Sequence, residues 1–228
     1  MKILSRIIVP AAIAATALTL TACNDSDDSG ISSTINTTIV TYDGRDTSGD
    51  LIFTHTISAA DGTDTFVKLH GVAKLTENIP LGTRLVLTYR YLDGLKYPAS
   101  GAVGIIGASK AATAPVTSIA GAPELSSLSP IYVEVLERAG NYINLWCELP
   151  QSQKRTFAIE LDATTAGTDQ PTLYITTALP EGETGGYVTT YGTSFDVSDV
   201  WSNPATRSMV VKVNNSNNPN YTTFTFNK

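Results

Sequence analysis

Short runs rich in Val, Ile, Thr, Tyr and Phe recur along the chain, interrupted by Gly, Pro, Asn and Asp. They occupy residues 35–42, 51–58, 65–69, 84–92 and 102–108, then 131–136, 142–149, 156–161, 172–179, 187–193, 207–213 and 221–226. Their side chains alternate as in a half-buried strand. Ile143, Leu145, Cys147 and Leu149 fall on one face of their run, and Asn144, Trp146 and Glu148 on the other. Leu85, Leu87, Tyr89 and Tyr91 likewise share a face. Beyond the N-terminal segment no run has helical period for more than a turn or two. Asp61-Gly62 and Asp93-Gly94 supply turns, because Gly admits positive φ and Asp bonds its own backbone. Ala139-Gly140-Asn141 lies between two alternating runs and predicts a hairpin over 131–149. The Asn-rich 214–220 segment predicts an antiparallel turn between the last two runs. Short strands at this spacing predict an all-β chain.

Residues 111–129, rich in Ala, Pro and Ser, break the strand rhythm and read as a connection between domains. Two β domains are expected, 31–115 and 116–228. The first carries seven basic and seven acidic side chains, the second six and eleven.

The N-terminus has a basic start (Lys2, Arg6), an apolar run from Ile7 to Leu20, and then Leu20-Thr21-Ala22-Cys23. That order predicts a cleaved signal peptide over 1–22. The run is shorter than the roughly 20 apolar residues that span a bilayer. The Cys after Leu-Thr-Ala resembles a bacterial lipobox, which implies acylation of Cys23 and a membrane partner through that anchor. Residues 23–30 hold Asp25, Asp27 and Asp28 but no apolar residue beyond Cys23, and so read as a solvated tether. The acidic cluster is similar to the signal that exports lipoproteins to the outer surface in Bacteroidetes. An outer-membrane location facing the exterior is expected.

Without residues 1–22 the chain keeps 13 basic and 21 acidic side chains, a formal charge of −8. Nucleic acid is disfavoured as a partner, since it needs clustered Lys and Arg. With Cys23 acylated, Cys147 is the one free thiol; its apolar neighbours predict a buried, inert side chain.

The Asp-rich tether after Cys23, the stretch Asn78-Ile79-Pro80-Leu81-Gly82-Thr83-Arg84-Leu85-Val86-Leu87-Thr88-Tyr89, and the runs opening Ile131-Tyr132-Val133-Glu134-Val135 and Asn141-Tyr142-Ile143-Asn144-Leu145 together resemble the NigD-like lipoproteins of Bacteroidetes. The resemblance implies a small OB-like barrel followed by an antiparallel β-sandwich. It carries over no functional residues.

No catalytic constellation emerges. His55 and His70 are the only histidines, and there is no His-Glu-x-x-His, paired Cys motif or Gly-x-Ser-x-Gly elbow. No metal site and no cofactor are expected. Gly101, Gly104 and Gly107 lack the phosphate-loop pattern and predict a bulge or tight barrel bend. Glu134, Glu148 and Glu160 lie on successive strands, and the last two fall out of phase with apolar neighbours, on solvent faces. The candidate binding residues are Tyr89, Tyr91, Trp146 and Trp201. A non-enzymatic envelope lipoprotein that binds a protein or glycan is expected. A glycan requires a shallow groove floored by Trp or Tyr. A structural subunit of a surface appendage is the alternative, requiring an unpaired first or last strand, and a carboxylate-dependent hydrolase is a third.

Overall fold

The computed structural model describes residues 34–71 and 78–228, with the backbone of three two-residue fragments, Ala17–Leu18, Leu20–Thr21 and Lys74–Leu75. Cys23, Asp25, Asp27 and Asp28 lie outside the described residues, as does most of the 1–22 segment.

Five strands form the first domain: β1 (Asn36–Arg45), β2 (Leu51–Ser58), β3 (Asp64–Gly71), β4 (Arg84–Tyr91) and β5 (Gly101–Lys110). Their order is β5-β3-β2-β1-β4, and β4 pairs with β5 to close the sheet into a barrel. Only β3 with β5 is parallel. Closure removes the free edges of a sheet. The inward residues Val40, Phe53, Leu69, Leu85, Leu87, Tyr89 and Val103 form its core. The glycine-rich strand contains the expected bulge: Thr88 faces Gly107 while Tyr89 faces Ile105, which leaves Ile106 unpaired and half-exposed.

The second domain holds eight strands: β6 (Ala112–Ile119), β7 (Tyr132–Ala139), β8 (Tyr142–Pro150), β9 (Thr156–Asp162), β10 (Thr172–Ala178), β11 (Val188–Asp196), β12 (Ser208–Val213) and β13 (Thr223–Asn227). A single helical turn, α1 (Ser198–Trp201), precedes β12. The order is β7-β8-β11-β6-β9-β10-β12-β13. Four pairings are antiparallel, and β6 with β9 and β11, and β10 with β12, are parallel. The sheet folds over a core of Ile143, Leu145, Cys147, Ile159, Leu173, Phe195, Met209 and Val211. It nearly closes, because Ile131 N–H donates to Asn214 O at 2.9 Å and Ile131 O accepts from Ser216 N–H at 2.9 Å.

Strand β6 corrects the reading of 111–129 as a connection. Residues 112–115 pair with β11 and 116–119 with β9. Pro115, which made the segment look unlike a strand, sits at the changeover between neighbours. Proline lacks an amide donor, so such a position is where a strand tolerates it. Ala111 alone separates β5 from β6, four residues before the expected boundary near 115.

A second bulge explains the mixed faces of β7. Val133 faces Cys147 and Val135 faces Trp146, so Glu134 is the extra residue. Val135 is thereby turned to the outer face, where it is 44% exposed.

The domains are joined by two buried arginines. Arg84, on the outer face of β4, is 3% exposed and lies between the barrel and β8. Its guanidinium donates to Thr41 Oγ1 at 2.8 Å, Ser194 Oγ at 3.0 Å and Asn144 Oδ1 at 2.9 Å. It also stacks on Tyr142, 4.4 Å from the ring centre. Ser194 Oγ in turn donates to Asn144 Oδ1 at 2.9 Å. Burial lowers the Arg84 pKa to about 10, against the opposing pull of Tyr142 and Glu137. Arg138, on β7, pairs with Asp64 of β3 at 2.7 Å and donates to Gly62 O at 2.7 Å. The tip of the predicted hairpin docks beside it, where Gly140 N–H donates to Ser58 Oγ at 3.0 Å.

Removing Arg84 leaves Asn144 and Ser194 buried with their shared donor gone. Arg84→Ala leaves neutral groups without their donor and is expected to cost about 1–3 kcal/mol. Urea unfolding followed by both fluorescence and circular dichroism is expected to show one transition in the parent chain and two separated ones in the variant.

Candidate functional site

Of the four candidate aromatic residues, three are interior. Tyr89 and Tyr91 lie inside the barrel, 0% and 1% exposed, with rings edge to face at 5.4 Å. The Tyr91 hydroxyl donates to Ala99 O at 2.9 Å and accepts from Ala99 N–H at 3.0 Å, which ties down the loop before β5. The Tyr89 hydroxyl is buried without a partner among the described residues, and burial raises its pKa. Trp201 is 7% exposed, capping the second core, with the Arg138 guanidinium 4.5 Å above its ring. As binding-surface candidates these three are corrected: their side chains supply the apolar bulk that fills two small cores.

Trp146 is different. It stands on the outer face of β8 beside Gly192 of β11, in a groove between the domains of about 650 Å³. One wall is barrel: Thr37, Val86 and Ser109. The other is sandwich: Gln151, Thr189 and Thr190. Gly192 is required here, since a Cβ would lie 2.8 Å from Val86 Cγ2 and 3.0 Å from the Trp146 ring. The glycine lets the indole and the barrel's Val86 both approach the sheet. The groove's size is within the range of about 300–1,000 Å³ usual for ligand pockets.

Next to it, beside Arg84, a smaller recess of about 410 Å³ is lined by Thr83, Lys110, Pro115, Tyr142 and Asp196. Each Arg84 nitrogen there already has a protein partner, so the recess is the outer end of the domain junction.

His55 sits at one end of the barrel interior, 3% exposed. Nδ1 lies 3.0 Å from Thr38 Oγ1, and Nε2 lies 3.0 Å from the hydroxyl of Tyr97, which is half-exposed at the barrel mouth. Burial, helped by the charge of Arg84, lowers its pKa from 6.5, while the Ile39 carbonyl pulls the other way. His70 is surface, 3.9 Å from Asp46. No group of three His, Cys, Asp or Glu side chains suited to a metal occurs among the described residues. Glu148 and Glu160 lie on separate halves of the folded sheet, out of phase with the buried Leu149 and Ile159, and Glu134 is lifted out at its bulge. The three do not converge. Cys147 is buried, which pushes its thiol up to about 12.

No family model and no curated relative matches the chain. Its likeness is to solved structures. A protein of unknown function, DUF1344, from Bacteroides vulgatus aligns with TM-score 0.57 at 13% identity, over 86% of this chain and 90% of that one. The shared architecture is therefore the fold as a whole. The similar structures also include a candidate lipoprotein from Bacteroides fragilis, with TM-score 0.49 at 12% identity over 83% and 91% of the two chains. A NigD-like immunity protein from Bacteroides caccae, of the family the sequence resembles, aligns with TM-score 0.49 at 16% identity over 78% and 84%.

Sequence reasoning missed Arg84 as the junction and every polar residue of the groove except Trp146. Those residues come from five separate segments, and nothing local marks them.

Two pH effects follow. Below 6.5 the unfolded chain protonates His55 while the folded protein resists, so stability is lost as pH falls through that window. The urea midpoint is expected to drop between about pH 7 and about pH 5, and to drop less in His55→Gln. For Cys147 the sign reverses. Above the ordinary thiol value of 9.0 the unfolded chain ionises first, so this residue's contribution falls as pH rises toward 12. A disulfide reagent with a coloured leaving group is expected to leave Cys147 unmodified in the native protein and to label it in urea.

Proposed function

We propose that this chain is a lipid-anchored envelope protein that acts by binding, holding a protein or glycan partner at the outer surface of the outer membrane. The observation that carries the reading is the Trp146 groove. It is large enough for a ligand, and no nucleophile with a base, pair of convergent carboxylates or metal-ligand cluster lies in it among the described residues. Support for the location comes from Leu20-Thr21-Ala22-Cys23 with its acidic tether. The formal charge of −8 after removal of 1–22 disfavours nucleic acid.

The appendage-subunit alternative needs a spare strand. β1 is paired on both sides, with β2 and β4, inside a closed barrel. β13 pairs only with β12, and β7 only with β8, so the two ends of the nearly closed sheet are the places for an added strand. Neither end strand is unpaired as a donated strand would be, and binding at the groove is the better-supported reading.

Protease treatment of intact cells tests the proposal, with a Cys23→Ala variant and a lysed sample alongside. Digestion of the parent protein on intact cells, with palmitate labelling that disappears in Cys23→Ala, is the expected result. Protection until lysis would place the protein inside the envelope and refute surface display. Labelling that persists in the variant would refute the anchor.

A further inference from the structure

The polar groups of this molecule fall into two sets. At the domain junction they are consumed internally: Arg84, Asn144, Ser194 and Thr41 bond one another, and Arg138, Asp64 and Ser58 do the same. In the groove beside the junction Thr37 bonds Thr88 and Tyr191 bonds Ser152, but most of the other polar groups are not consumed. The Trp146 indole N–H and the side chains of Ser109, Lys110, Gln151, Gln153 and Thr190 make no hydrogen bond with another described residue. They surround one half-buried indole whose ring edge packs over Gly192.

Charge narrows the ligand. The lining includes one cation, Lys110, and no carboxylate. A polyanion requires clustered basic groups, and a cationic ligand requires acids or an aromatic cage. Strand addition by a peptide is unavailable at β8, which is paired with β7 and β11; β11 has β6 beside it only along 193–196, and an added peptide strand at 188–192 is the outcome that failure of the sugar panel would favour. The remaining chemistry is hydroxyl, amide and indole. A sugar ring matches it: its C–H face packs on a flat aromatic surface, while its hydroxyls exchange with hydroxyl and amide side chains around the rim.

We infer that the Trp146 groove is a subsite for a neutral oligosaccharide, with Trp146 as the stacking platform and Gln151, Thr190 and Ser109 as its hydrogen-bonding walls. This rests on the binding role proposed above and names its ligand.

The test uses the full-length protein in detergent and a panel of neutral tetrasaccharides of glucose, xylose, mannose and galactose. Intrinsic tryptophan fluorescence reads binding, because Trp201 is buried and supplies a constant background. At least one sugar is expected to give a saturable change. Trp146→Ala is expected to weaken it ten-fold or more, with Trp146→Phe between the two. Thr190 is exposed, so Thr190→Arg fills the groove without touching a core and is expected to abolish binding with the urea midpoint unchanged. Tyr221→Ala, at the exposed turn before β13, is expected to bind as the parent does. Calorimetry reads the Trp146 variants, whose fluorescence is altered by the substitution itself. Absence of saturable binding across the panel, or binding indifferent to both Trp146→Ala and Thr190→Arg, would overturn the assignment. Either result would leave the envelope reading standing, since protease shaving and palmitate labelling do not depend on the groove. Failure of those two would remove the envelope reading while sugar binding stayed measurable.

Discussion

The arrangement of the two domains depends on a positive charge buried between them. Arg84 has no carboxylate within ion-pair distance among the described residues; three neutral oxygens and the face of Tyr142 hold it. A guanidinium suits this role, because it is weakly hydrated and offers donors in several directions within one plane. Burying it costs several kcal/mol of hydration free energy, and that cost is offset only where every partner is correctly placed. Thr41 comes from the barrel, while Asn144 and Ser194 come from the sandwich. The charge is thus satisfied in one relative position of the two domains. A buried charge of this kind selects a geometry more than it adds stability. Arg138 repeats the device at the other side, with Asp64 as a true ion partner.

Strand positions were legible because one face of most strands is apolar. β8 shows it most clearly: Ile143, Leu145, Cys147 and Leu149 are all in the core, and Trp146 and Glu148 on the outer face. The same alternation concealed Asn144, which has the phase of a solvent-facing residue and is 0% exposed because a second domain covers it. Periodicity reports which side of its own sheet a residue takes. It carries nothing about what packs on that side. Trp201 illustrates the complementary failure, since polar neighbours in sequence hid a side chain that folds back beneath Arg138. β6 was lost for a third reason. Its halves belong to different neighbours, so Pro115 is harmless at a place where strand reasoning treats it as a stop.

The groove follows from that domain arrangement. Neither domain contains it; Trp146 and Thr190 belong to one, Thr37 and Ser109 to the other. Its walls are strands of two hydrogen-bonded sheets, and the domains that carry them are separated by Ala111 alone. Such a site is largely formed before a ligand arrives, so less ordering entropy is lost on binding than in one that must close.

The placement of β1 has a mechanical consequence. It is the first strand of the barrel, hydrogen-bonded to β4 along 36–41 and to β2 along 41–45. A pull arriving from the N-terminal side along the strand therefore loads the row of bonds to β4 in shear, and the row to β2 continues behind it. A strand at an open edge would instead peel away one bond at a time. Tension from that end meets the barrel at a position where it resists unravelling.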